Sequence, residues 1–204
     1  MRIGVLGTGM VGQTLGSRLA EVGHEVRTGS RTAGKEGAVA FADAAAFGEV
    51  IFNCTAGDGS IDALRAAGEA NLTDKVLIDV SNPLDHSAGG MPTLFVSNTD
   101  SLGEQIQRTF PEARVVKSLQ TMNCGTMANP ARVPGDHVVF VCGDDVAAKK
   151  QATALLGDFG WPPERVIDLG DIEAARGTEM YVALWLRIWQ AVGTLDFNIS
   201  IARG

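Results

Sequence analysis

Apolar runs of strand length alternate along the chain with stretches whose apolar residues recur at helical spacing. This alternation predicts a mainly parallel sheet with helices on its faces. Strands are expected at Arg2–Leu6, Glu25–Thr28, Val50–Cys54, Val76–Val80, Arg114–Ser118 and His137–Val141, with a short one near Arg165–Leu169. Between the first two, Val11, Leu15, Leu19 and Val22 make one stripe of a helix over Met10–Val22, and Gly23 suits the position just past its end. Ala38–Ala46 reads as a small packed helix, Asp145–Phe159 as another and Thr178–Val192 as the last. That last helix has only Arg187 and Gln190 as polar residues between Met180 and Val192, so it needs cover on more than one side. Ser81–Gly90 and Leu119–Gly135 read as long loops after strands, where open parallel sheets bind their ligands.

The 204 residues suffice for one α/β domain with a modest extension, without room for a separate helical substrate domain. The charge balance, 17 − 24 = −7, makes nucleic acid or an anionic membrane an unfavourable partner. Cys54, Cys124 and Cys142 have no C-x-x-C spacing, which argues against a disulfide framework and a zinc cage, so no metal site is assigned. Gly7, Gly9, Gly12 and Gly16 interrupt the first apolar run, and no apolar stretch reaches the ~20 residues of a membrane span. A soluble cytoplasmic protein is the expectation.

Gly7-Thr8-Gly9-Met10-Val11-Gly12 is a G-x-G-x-x-G that follows a predicted strand and opens a predicted helix. In that context Gly7 permits the tight turn, Gly9 lets backbone approach a pyrophosphate, and Gly12 with Gly16 lets the helix lie close on the sheet. The N–H groups from Thr8 to Val11 then face phosphates at the positive end of the helix. The fold class that follows is a Rossmann-like, doubly wound, mainly parallel sheet with a small C-terminal α/β extension. It divides into an NADP-binding domain over residues 1–143 and an extension over 144–204 that completes the substrate cleft and a dimer interface. An NAD site carries an acid at the end of the second strand for the ribose 2′-hydroxyl. Here that place holds Thr28-Gly29-Ser30-Arg31, with Lys35 following, which suits a 2′-phosphate. The plainer alternative is that Arg31 and Lys35 are a solvated surface pair.

These residues resemble a known family, the NADPH-dependent reductases of the deazaflavin coenzyme F420. The likeness is carried by the opening turn with Gly29-Ser30-Arg31 and Lys35, and by Lys117-Ser118-Leu119-Gln120-Thr121. Val141-Cys142-Gly143-Asp144-Asp145 and Phe197-Asn198-Ile199 also match. The module is similar as well to the cytosolic reductase domain of six-transmembrane metalloreductases, which use NADPH and flavin. The resemblance implies that Thr8 to Val11 hold the pyrophosphate and that Ser30, Arg31 and Lys35 hold the 2′-phosphate. It places Thr55, Ser81 and Asn82 beside the ribose and nicotinamide, and Phe197 at the nicotinamide end. Gln120, Thr121, Met122, Asn123 and Cys124 would form the second-ring pocket. The stretch Gln120-Thr121-Met122-Asn123 stands where archaeal members have His-Thr-Ile-Pro.

The implied reaction is hydride transfer between NADP(H) and F420, with F420 as a small-molecule redox partner. The alternatives are an NADPH-dependent flavin or flavin-mediated metal reductase, and a non-catalytic NADP-binding redox sensor. Hydride transfer between stacked rings, held about 3–3.5 Å apart, requires orientation rather than a general base, so no residue is assigned as catalytic. His86, in the loop after Ser81-Asn82-Pro83, is the histidine best placed to touch substrate, whereas His24 and His137 begin strands and read as structural. Asp144 and Asp145 read as helix caps. Trp185 and Trp189, four apart, read as a packed interface, and the apolar C-terminal helix predicts a homodimer.

Overall fold

The computed structural model describes residues 1–34 and 37–204. In chain order its first elements are β1 (Arg2–Leu6), α1 (Met10–Glu21), β2 (Glu25–Ser30), β3 (Val39–Ala40), α2 (Phe41–Phe47), β4 (Val50–Asn53), α3 (Ser60–Ala67) and α4 (Glu69–Leu72). There follow β5 (Val76–Asp79), a hairpin of β6 (Leu84–Asp85) and β7 (Thr93–Leu94), α5 (Leu102–Thr109), β8 (Arg114–Ser118) and α6 (Cys124–Ala128). The chain closes with β9 (Val139–Cys142), α7 (Val146–Phe159), β10 (Val166–Asp168) and α8 (Ala175–Val192).

Eight strands form one sheet in the order β10-β9-β8-β5-β4-β1-β2-β3. Every pairing is parallel except β8 with β9, where Lys117 faces Cys142 and Ser118 faces Val141. The fold is thus the doubly wound, Rossmann-like sheet that the pattern predicts. Burial on both faces explains the near-continuous apolar runs: all four residues of β4 and of β5 are buried. One core layer joins Ile3, Val5 and Phe52 to Leu15 and Leu19 of α1 and to Leu155 and Phe159 of α7. The opposite layer joins Leu6, Ile51 and Leu77 to Ala44 of α2, Leu64 of α3 and Ile106 of α5. The segment after residue 143 adds β10 to the same sheet and α7 to the first layer.

Several boundaries differ from the sequence reading, each for a local reason. The expected helix over Ala38–Ala46 begins only at Phe41, because Val39 and Ala40 pair with Gly29 and Ser30 as an edge strand. β9 starts at Val139 rather than His137, whose Nε2 lies 3.0 Å from both the Pro130 and Val133 carbonyl oxygens and whose ring meets Trp161 edge-on at 5.1 Å. The stretch Leu119–Gly135 is not all loop, since Asn123 caps α6 by accepting from the Gly125 amide at 2.9 Å. The sequence reading expects none of the helices α3, α4, α5 and α6. Of these α5 carries a legible signal, a Ser-x-x-Glu cap in which Ser101 accepts from the Glu104 amide at 3.1 Å and donates to the Glu104 carboxylate at 2.7 Å.

Candidate nucleotide and acceptor cleft

The Gly-rich turn joins β1 to α1. Gly7 has φ +117°, a conformation that disfavours a side chain, and a Cβ on Gly12 would overlap the Gly7 carbonyl oxygen. Gly9 is the N-cap of α1, and a Cβ there would meet nothing within 4 Å. No side chain caps α1 and no acid stands in its first turn, so its amides are free to receive an anion. Gly16 behaves differently from expectation: a Cβ there makes only ordinary contacts, the nearest 3.7 Å from Thr28 Oγ1. The close approach therefore belongs to Gly12 and the turn, and Gly16 is not needed for it.

At the end of β2, Ser30 is buried and its Oγ accepts from the Thr32 amide at 3.2 Å. Arg31 is exposed and has no carboxylate partner among the described residues. Lys35 lies outside the described residues.

A cleft of about 330 Å³ opens where β4, β5 and β8 end. Its walls bring together Met10 and Val11 of α1, Thr55 after β4, Ser81, Asn82 and His86 after β5, and Gln120, Met122, Asn123 and Cys124 after β8. α8 closes it with Val182, Trp185 and Leu186. Of the residues expected around the two rings, Thr121 and Phe197 do not reach this surface. Thr121 is buried behind the loop with its Oγ1 unpartnered, so its side chain forms no part of the cleft wall. Phe197 stands behind Trp185, stacked on it at 5.1 Å, and Trp185 also stacks on Trp189 at 6.3 Å.

The walls are tied to one another. Asn82 donates from Nδ2 to the Gln120 carbonyl at 2.8 Å, and Gln120 donates from Nε2 to Thr178 Oγ1 on α8 at 2.6 Å. Leu119, just before Gln120, takes φ +71°, a left-handed conformation unusual for a leucine. Cys124 Sγ accepts from Thr14 Oγ1 at 3.7 Å. Burial pushes the Cys54 thiol well up from its ordinary range and the Cys142 thiol up to about 12.

Under the floor lies a polar network that the sequence reading missed. Lys117 Nζ is wholly buried and sits 2.7 Å from Asp79 Oδ2, 2.8 Å from Glu179 Oε1 and 2.6 Å from the Ser81 carbonyl oxygen, so all three of its protons have acceptors. Burial works against this ammonium, but the two carboxylates, Asp79 foremost, outweigh it and hold its pKa above the ordinary 10.5. Asp79 Oδ1 accepts from Ser81 Oγ at 2.7 Å and from Asn53 Nδ2 at 2.8 Å, while Asn53 Oδ1 accepts from Thr55 Oγ1 at 2.7 Å. The Glu179 carboxylate accepts from the Leu102 and Gly103 amides at 2.8 and 2.9 Å, which secures the start of α5. Lys117 was legible only as part of a motif. Its partners lie 38 residues before it and 62 after it (179 − 117 = 62), so only the fold shows the triad.

Asp145 caps α7 by accepting from the Ala148 amide at 2.8 Å, and Asp144 accepts from the Ile172 amide at 3.0 Å. No group of three or more His, Cys, Asp or Glu residues suited to a metal ion occurs among the described residues. None of the described helices is long and apolar enough to cross a membrane.

Three kinds of relative share this architecture. The family described as NADP oxidoreductase coenzyme F420-dependent matches residues 2–83. Rat metalloreductase STEAP3 is 27% identical over 208 residues, covering 98% of this chain but only 40% of the relative. The chain therefore spans well under half the length of that curated relative. A solved structure from Arthrobacter sp. FB24, named as a candidate F420-dependent NADP reductase, is 51% identical, covers all of both chains and superposes with a TM-score of 0.95. An Aspergillus terreus reductive aminase in complex with NADPH and ethyl levulinate shares the fold at 17% identity and a TM-score of 0.66, over 94% of this chain and 62% of its own. On the full-length likeness at 51% identity and the match to the Gly-rich half, the chain belongs to the family of F420-dependent NADP oxidoreductases.

Proposed function

We propose that this protein passes hydride between NADP(H) and the deazaflavin coenzyme F420. NADP-linked oxidoreduction is the chemistry of the family, and the acceptor is the part proposed. The observation that carries the reading is the single cleft shared by the first turn of α1, Thr55, Ser81 and Asn82, and the loop around Gln120, Met122, Asn123 and Cys124. The open space at Gly9 and the uncapped start of α1 suit a pyrophosphate over Thr8 to Val11. Ser30 and Arg31, which has no carboxylate partner among the described residues, suit a 2′-phosphate, and no acid stands at the end of β2 to repel it.

The nicotinamide, when bound, supplies the hydride. The chain's task is to hold two rings in register and keep water out. Thr55 and Ser81 direct their hydroxyl protons inward, to Asn53 and Asp79, and so offer fixed acceptors rather than mobile groups. The apolar wall of Val182, Trp185 and Leu186 excludes solvent, and Phe197 acts through Trp185 by holding it in place. Residues 144–204 serve in this reading to complete the cleft.

The likeness to a metalloreductase supports a second reading, reduction of a flavin or of a metal through flavin. The test is whether NADPH absorbance falls when the protein is mixed with oxidised deazaflavin, with FMN, or with neither. Oxidation only with deazaflavin is expected. Oxidation only with FMN would replace the first reading by the second.

We infer also a homodimer built on α8. Met180, Leu184 and Val192 are exposed along it, opposite Val182 and Leu186, which are buried.

A further inference from the structure

Two polar atoms of the cleft wall are left over by the protein's own bonding. Asn82 Oδ1 and Trp185 Nε1 are buried and meet no hydrogen-bond partner among the described residues, and both residues line the cleft. Buried polar groups are almost always paired, because each bond left unmade forfeits one to water. The orientation of both side chains is fixed. Asn82 donates from Nδ2 to the Gln120 carbonyl at 2.8 Å, and a flipped amide would set two oxygens against each other, so the atom left over is Oδ1, which can only accept. Trp185 stacks on Phe197 at 5.1 Å and on Trp189 at 6.3 Å, which holds its ring in one plane, and its N–H can only donate. Gln120 ties the two walls together. Its carbonyl holds Asn82, and its Nε2 holds Thr178 on the face of α8 that also carries Val182 and Trp185, at i, i+4 and i+7.

We propose that Asn82 and Trp185 read the pyrimidinedione edge of the hydride acceptor, Asn82 Oδ1 accepting from the imide N–H and Trp185 Nε1 donating to a neighbouring ring carbonyl. The proposal rests on the acceptor reading above and deepens it by naming the part of the ring that is recognised. That edge presents an N–H flanked by two carbonyls in one rigid plane, the complement of the acceptor and the donor that the wall leaves over. The carboxamide of a nicotinamide carries the same kinds of group, but it turns about its bond to the ring and has a single carbonyl. Trp185 moreover comes from α8, outside the strand, turn and helix that seat the dinucleotide.

The experiment measures, by calorimetry on NADP-loaded protein, the binding of 5-deazariboflavin and of its N3-methyl derivative, in which the imide N–H is gone. Deazariboflavin is expected to bind at least about tenfold more tightly. Trp185→Phe keeps an aromatic ring against Phe197 and removes the N–H; it should weaken deazariboflavin about tenfold and leave NADPH binding to the free protein within about twofold. Equal binding of the two deazaflavins, or binding of neither, overturns the proposal, and that comparison requires no variant to fold. A loss of NADPH binding in Trp185→Phe as large as the loss of deazariboflavin binding, or larger, overturns it too, by assigning the leftover atoms to the carboxamide. Deazariboflavin that binds with the expected preference yet takes no hydride from NADPH, while FMN does, would instead overturn the acceptor reading and leave the edge recognition standing, because flavins carry the same edge.

Discussion

Replacing Lys117 by methionine would test whether the buried triad holds the floor of the cleft. The side chains of Lys117 and Asp79 are fully buried and that of Glu179 is 2% exposed, so methionine, close in volume, removes a charge without opening a large cavity. What it leaves is two desolvated carboxylates with no cation. Removing one partner from a buried ion pair costs about 3–5 kcal/mol, and a chain of this size loses about 2–4 °C of Tm per kcal/mol, so Tm should fall by roughly 6–20 °C. The hydrogen bonds from Asn53 and Ser81 to Asp79, and from the α5 amides to Glu179, place the cost toward the lower end. Urea denaturation should show a lower midpoint with an unchanged m-value. The pH dependence has a fixed sign. Because the folded pKa of Lys117 lies above 10.5, its contribution is fully present below that value and is lost as pH rises through the folded pKa. Wild-type and variant stabilities should therefore converge only in strong alkali. Adding Asp79→Asn and Glu179→Gln to Lys117→Met should restore much of the loss, since no buried charge then remains unpaired. A loss below about 1 kcal/mol for Lys117→Met alone would refute the reasoning.

Three further outcomes are expected. Gly12→Ala should sharply weaken both NADPH binding and folding, because its Cβ overlaps the Gly7 carbonyl, while Gly16→Ala should be neutral or stabilising by about 0.5–1 kcal/mol in urea titrations; equal effects would contradict the packing described. Arg31→Ala should weaken NADPH binding about tenfold and NADH binding little, as measured by calorimetry, and a like loss for both would sink the 2′-phosphate assignment. Leu184→Asp, on the exposed face of α8, should shift sedimentation from dimer to monomer, and a wild-type chain that is already monomeric at micromolar concentration would refute the dimer.

The sequence determined by itself whatever is written in local periodicity and local turns. β1 and β8 come out with the boundaries read from their apolar runs, and α1 and α7 to within a residue, because strands buried on both faces and helices with one apolar stripe leave unmistakable patterns. The Gly-rich turn was legible because its demands are partly local: Gly7 takes φ +117°, and a Cβ on Gly12 would overlap the Gly7 carbonyl five residues before it. Short helices such as α3 were not, since eight residues carry too little periodicity to stand out, and the capping box at Ser101 was a signal left unread. Tertiary structure alone decided the rest. It turned Thr121 away from the cleft while its neighbours Gln120 and Met122 line it, since the left-handed turn at Leu119 sets which side chains of that loop face outward. It put Phe197 behind Trp185, and it gathered Asp79, Lys117 and Glu179 from three distant segments into one ion triad. Such contacts depend on how the sheet orders its strands and where α8 crosses them, and a linear pattern of residue types carries neither quantity, because side chains far apart in sequence meet only after the backbone has been placed.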